Sequence, residues 1–186
     1  MPAMVQWRIG VFVDVQNLYH TTKTLWPGTK VNYRALRDFI LAQAPHPRWV
    51  TFHAFTAINP DWKSQEQFLW ALSQMGYRVI TKPIRRMSDG SIKGDMDLDL
   101  ALEVMYMAPH LNEIVLVTGD GDFVPLVHQL VWMGKVVRVI GPGRLTAQEL
   151  GLVAHSFLSL DQIQGVLVDE DAEIPVEEAP LVTASN

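Results

Sequence analysis

Acidic side chains from three separate stretches of this chain are candidates to meet around one divalent cation. The run Val115-Leu116-Val117-Thr118-Gly119-Asp120-Gly121-Asp122-Phe123 carries an apolar strand pattern straight into two carboxylates spaced by a glycine. A second apolar run, Ile9-Gly10-Val11-Phe12-Val13, ends at Asp14, and Asn17 follows three residues later. A third acid, Asp97, falls inside a helical stretch, on the side that should present apolar residues. Two carboxylates about 4 Å apart repel by about 4 kcal/mol at an effective dielectric near 20, so several converging acids call for a compensating cation. Oxygen-only donors select Mg²⁺ or Mn²⁺. Such ions activate water and stabilise the leaving oxygen of a phosphodiester.

Each acid also has a plainer role. Asp14 is positioned to cap a helix starting near Gln16, and Asp120 or Asp122 to cap the helix after it. One cap needs one carboxylate, which leaves the second of the pair unexplained. At about 100° per residue, Asp95, Asp99, Glu103 and Tyr106 share the face of the Met96–Met107 helix expected to meet solvent. Asp97 lies opposite, with Ala101, Val104 and Ala108, where it must pair with something or sit at a wet first turn.

The elements that would position these residues alternate. Strands are expected at Ile9–Val15, Trp49–Thr56, Tyr77–Lys82, Glu113–Val117 and Val136–Ile140, with a short one near Ser156–Leu160. Helices are expected at Gln16–Leu25, Tyr33–Gln43, Lys63–Met75, Met96–Met107, Val124–Met133 and Thr146–Ala154. Asn32 and Asp95 read as N-caps, Gly76 and Gly134 as C-terminal stops, and Pro125 suits a first turn. Ile84–Ile92 reads as an exposed loop or hairpin around Asp89-Gly90. The alternation predicts an α/β fold with a mostly parallel sheet. For a strand order 3-2-1-4-5 the reversal lies between the strands ending at Asp14 and at Thr118, where parallel sheets bind ligands.

The 186 residues suit one domain, expected at 1–166. Residues 167–186 hold six acids and no Lys or Arg and read as a disordered tail. Without them 15 basic residues face 14 acidic ones, so the net charge of −5 hides a mildly basic body. The chain has no cysteine, which excludes disulfides, thiolate zinc sites and cysteine nucleophiles. No apolar run approaches the roughly 18 residues of a membrane span, and no signal-peptide pattern precedes Arg8. The expectation is a cytoplasmic protein with no membrane contact.

Three stretches resemble the NYN-domain family, LabA-like branch, within the PIN-like nuclease superfamily. They are Asp14-Val15-Gln16-Asn17-Leu18-Tyr19, Lys93-Gly94-Asp95-Met96-Asp97-Leu98-Asp99-Leu100-Ala101 and Thr118-Gly119-Asp120-Gly121-Asp122-Phe123-Val124-Pro125-Leu126, and the likeness runs over about residues 8–160. The resemblance implies a Rossmann-like three-layer α/β/α sandwich and a divalent-metal-dependent endoribonuclease. It assigns Asp14, Asp97, Asp120 and Asp122 to metal binding and catalysis, and Asn17 and Thr118 to orienting those groups or touching phosphate. His155 departs from the pattern, standing where similar sequences often carry an acid.

RNA is the expected partner, with a homodimer as a second association. Lys82, Arg85, Arg86 and Lys93, near Arg78 and opposed only by Asp89, form a candidate phosphate track; their plainer reading is a solvated hairpin. Arg144 is a weaker candidate, and Tyr19 and His20 could border the cleft. Trp62, Trp70 and Trp132 read as core or interface residues. The histidines show no zinc pattern. A competing reading is a catalytically weak or inactive RNA-binding or regulatory module that keeps the acidic pocket. Other phosphate enzymes fit less well: a toprim site wants Glu where Asp14 stands, and a haloacid-type phosphatase wants Asp at Gln16.

Overall fold

The computed structural model describes residues 6–46, 48–59, 63–86, 88 and 92–174, and of residues 63, 64, 86, 92 and 93 the backbone alone. The elements run β1 (Trp7–Asp14), α1 (Val15–Leu25), β2 (Thr29–Val31), α2 (Tyr33–Gln43), β3 (Arg48–Ile58), α3 (Lys63–Gln74), β4 (Tyr77–Pro83), β5 (Arg85–Arg86), β6 (Ile92–Lys93), α4 (Asp97–Met107), β7 (Glu113–Val117), α5 (Val124–Trp132), β8 (Val136–Gly141), α6 (Gln148–Val153), β9 (Ser156–Ser159) and β10 (Leu167–Asp169). Strands β4-β3-β1-β7-β8-β9 form one parallel sheet. The expected order is therefore present, extended by the short last strand.

The sheet is buried on both faces because its central strands run without a polar residue from Ile9 to Val13 and from Ile114 to Val117. Ile9, Val11 and Val13 of β1 join Val115 and Val117 of β7 in one core with Leu18, Leu36, Ile40 and Leu72 of α1, α2 and α3. Phe12 joins Ile114 and Leu116 in a second core with Leu100, Val104, Val127, Leu130 and Leu150 of α4, α5 and α6. Period-two alternation thus sorts β1 and β7 between two helical layers, giving the α/β/α sandwich.

Local signals act as their chemistry requires. Asn32 caps α2 by accepting the Ala35 N–H at 3.1 Å. Gly76 and Gly134 follow their helices at φ of +89° and +74°. Arg85 pairs with Lys93 and Arg86 with Ile92, an antiparallel hairpin in place of a plain loop; its tip at Asp89-Gly90 lies outside the described residues.

Two expectations need correction. The tail does not begin at residue 167: β10 pairs antiparallel with β2, and Glu170 donates its N–H to Gly28 and accepts an ion pair from Lys23 at 3.1 Å. Ile174 still packs against the first core. The surrounding acids hid a short strand whose partner, Thr29–Val31, is itself too short to show a pattern. Residues 175–186 lie outside the description. The second correction concerns α4, whose outward face is apolar. Leu98, Leu102 and Tyr106 are 69%, 60% and 80% exposed, while Asp99 and Glu103 turn toward β4 and pair with Lys82 and Arg78, both at 2.7 Å. Cations on β4 pull the two carboxylates sideways.

Candidate metal centre

Val13 and Val117 are register partners at the ends of β1 and β7, so Asp14 and Thr118 leave the sheet side by side. The strand order reverses here, which parts the flanking helices and opens a cleft at the carboxyl edge. Asp14 caps α1: its Oδ1 accepts the N–H of Asn17 at 2.9 Å, and its Oδ2 accepts the Thr118 hydroxyl at 3.2 Å. Thr118 Oγ1 in turn accepts the N–H of Asp120 at 3.2 Å, and Asn17 Oδ1 accepts the N–H of Gly119 at 3.0 Å. Asp120 Oδ1 accepts the N–H of Asp122 at 2.9 Å, fixing the turn Gly121–Phe123. Capping and convergence are one arrangement, since each cap holds its carboxylate at the cleft.

Gly119 is required by packing. A Cβ there would lie 2.7 Å from Cδ of Pro142, because the Gly141-Pro142-Gly143 turn folds over the loop and Ala147 donates its N–H to Gly119 at 3.0 Å. That turn braces the acidic loop.

Asp97 is the first residue of α4, and its own N–H goes to Oδ1 of Asp95 at 2.8 Å. Met96, not Asp95, occupies the cap position, which corrects the expected cap. Asp95 instead buttresses Asp97 from two residues upstream and brings another negative charge to the site. The sequence reads Asp95 as a cap on the solvent side of the helix; the repeat of Asp at 95 and 97 is the signal for its second role.

Asp97, Asp120 and Asp122 each offer a carboxylate oxygen, all within 4.8 Å of one another. Among the described residues none of the three pairs with Lys or Arg. Asp14 stands outside this group of three, 4% exposed, with its oxygens engaged by Asn17 and Thr118. Burial raises its pKa to about 6, with the Asp120 and Asp95 charges adding to the effect. Asp97 is raised to about 7, by desolvation first and then by Asp95, Asp14 and Asp120. Carboxylates pushed this far upward mark a site lacking positive charge, and a hard divalent cation fits the all-oxygen donor set.

The basic residues divide. Arg85 is exposed on β5, which follows β4 from the same edge of the sheet as the acids. Lys82 is held by Asp99 and also reaches the Asp95 carbonyl at 3.4 Å, tying β4 to the start of α4. Arg86 and Lys93 share the β5/β6 hairpin. Arg144 is exposed in the turn after β8. Trp70 and Trp132 are 62% and 84% exposed, so neither is a core residue, and Trp62 lies outside the described residues. His155 accepts the N–H of Val137 through Nδ1, a sheet-edge contact. His53 is buried against Phe12, and that burial lowers its pKa to about 4. A cavity of about 1210 Å³ begins at Val15 and Gln16 just beyond Asp14; Tyr19, Tyr33, Phe68 and Ile174 line it, and its walls are mostly apolar. It adjoins the acids without containing them. No helix among the described residues is long and apolar enough to cross a membrane.

Comparison with known proteins agrees with this fold. The low amplitude and bright protein LabA of Synechococcus elongatus is 25% identical over 185 residues, covering 94% of this chain and 95% of the relative. The crystal structure of a Vibrio parahaemolyticus protein of unknown function superposes with a TM-score of 0.78 at 32% identity, covering 90% of this chain and all of that one. The NYN domain profile matches residues 8–161, a span that takes in β1, α4, β7 and all the acids at their carboxyl edge. The chain belongs to the NYN-domain family, within the PIN-like nuclease superfamily.

Proposed function

We propose that the protein is a cytoplasmic endoribonuclease dependent on Mg²⁺ or Mn²⁺. The observation that carries this reading is the group Asp97, Asp120 and Asp122, three carboxylates with oxygens within 4.8 Å of one another and, among the described residues, no Lys or Arg paired to them. A divalent cation bound there would supply Lewis acidity toward a phosphodiester and lower the pKa of a coordinated water. Asp97, Asp120 and Asp122 would hold it, and Asp14 completes the acidic set from behind.

The residues of the chain supply orientation. Thr118 joins Asp14 to the Asp120 backbone, and Asn17 ties α1 to Gly119, so the loop after β7 cannot shift without breaking bonds from two elements. Such rigidity keeps the acids in place through a reaction. Arg85, and in this reading Arg86 and Lys93 on the same hairpin, attract the phosphate backbone toward the edge where the acids lie. Lys82 contributes mainly by holding Asp99. RNA is the partner, and a second copy of the chain is the other association we infer.

Purified protein is to be incubated with a panel of single-stranded and structured RNAs in Mn²⁺, with a chelator control. Cleavage that requires metal and is lost by at least 100-fold in Asp97→Asn is expected. Binding that survives chelation without turnover, or equal cleavage by Asp97→Asn, contradicts the proposal.

A further inference from the structure

We propose that the outward face of α4 is a homodimer interface, with two copies packing α4 against α4 about a two-fold axis at Leu102. The helix is apolar on both sides. Leu100 and Val104 are buried against the sheet, whereas Leu98, Leu102 and Tyr106 recur every four residues on the opposite side and are 60% or more exposed. Ala101 and Met105 fill the gaps between them and are half-buried. A helix with apolar residues on two opposite faces fits between two layers, and the sheet supplies only one of them.

A second copy fits the uncovered side for three reasons. The stripe is symmetric about its middle residue, so an antiparallel copy sets Leu102 against Leu102 and Leu98 against Tyr106, as an isologous contact requires. The acids flanking the stripe, Asp99 and Glu103, are already paired with Lys82 and Arg78, so two such faces meet without bare like charges. The exposed apolar area is also adequate. At about 200 Å² for each large side chain, Leu98, Leu102 and Tyr106 present about 420 Å² of apolar surface. A standard interface takes about 800 Å² from each partner, a little over half of it non-polar. The interface stands independently of the nuclease reading.

The chain has no cysteine, so a single introduced thiol reports on one contact. Leu102→Cys should form a disulfide-linked dimer of twice the 21.0 kDa chain mass under mild oxidation, while Trp70→Cys, in the opposite layer, stays monomeric. Wild type should sediment as a dimer at micromolar concentration. Leu102→Glu and Leu102→Lys, at an exposed position, should keep the circular dichroism spectrum of the wild type and raise the dimer dissociation constant by about 100-fold or more. A monomeric wild type, a dimer that persists in either charged variant, or cross-linking no faster at position 102 than at 70 overturns the proposal.

Discussion

Asp97→Asn should make the metal-free protein more stable at pH 8, and the size of the effect follows from the crowding around that side chain. The carboxyl titrates near 7 in the fold, raised from 3.8 by desolvation and by Asp95, Asp14 and Asp120. At 1.36 kcal/mol per pKa unit, ionising it in the native state carries a full penalty of about 4 kcal/mol. The group is only partly buried, and solvent screening brings this to about 2 kcal/mol. The sign follows from proton linkage. Between pH 3.8 and 7 the native state binds more protons than the unfolded one, so stability falls as pH rises and levels off above 7. Asparagine keeps an N–H for Asp95 and carries no charge. For a chain of this size about 2 kcal/mol corresponds to a rise in Tm of about 4–8 °C at pH 8. The gain should shrink as pH is lowered from 7 toward 4. Differential scanning fluorimetry across that range, with chelator, measures it. Mn²⁺ at about 100 times its dissociation constant should add about 2.7 kcal/mol to wild type and much less to the variant. Equal melting of the two proteins at pH 8 without metal, or equal gains with Mn²⁺, refutes the reasoning.

Other substitutions probe the supports of the site. Thr118→Val removes the hydroxyl between Asp14 and the Asp120 N–H; it should cost about 1–2 kcal/mol in urea unfolding and slow cleavage more than it weakens RNA binding. Gly119→Ala places a methyl against Pro142 and should destabilise by about 1–3 kcal/mol, with loss of the Mn²⁺-induced rise in Tm. Arg85→Ala should weaken RNA binding and lower its salt dependence by about one counterion, read from filter binding at several salt concentrations. Lys82→Met should change RNA affinity little and cost less than about 1 kcal/mol, because the ammonium already serves Asp99 at a half-exposed pair.

The positions of the acids at strand ends could be read in advance because strand alternation and the parallel-sheet rule are local and topological statements. Val13 and Val117 end apolar runs, and whatever follows them must emerge at one edge. The family motif then joined Asp97 to that edge. What escaped prediction was settled by contacts distant in sequence. Helix angles alone put Asp99 and Glu103 on a solvent face because they cannot see Lys82 and Arg78 on β4. Leu167–Asp169 read as tail because three residues show no periodicity until Thr29–Val31 pairs with them. Asp95 looked like a cap because residue type favours capping, yet the helix starts one residue later and leaves its carboxylate beside Asp97. Asp14, an expected ligand, also accepts from Asn17 and Thr118, contacts that strand position alone does not disclose.

The claim beneath the functional reading is that Asp97, Asp120 and Asp122 share a divalent ion. Crystals soaked in Mn²⁺, with diffraction recorded near the manganese absorption edge, test it directly. An anomalous peak within about 2.2 Å of oxygens from those side chains is expected, absent in Asp97→Asn crystals. Oxygens of the three residues left bare at saturating Mn²⁺, or a peak confined to other residues, would contradict it.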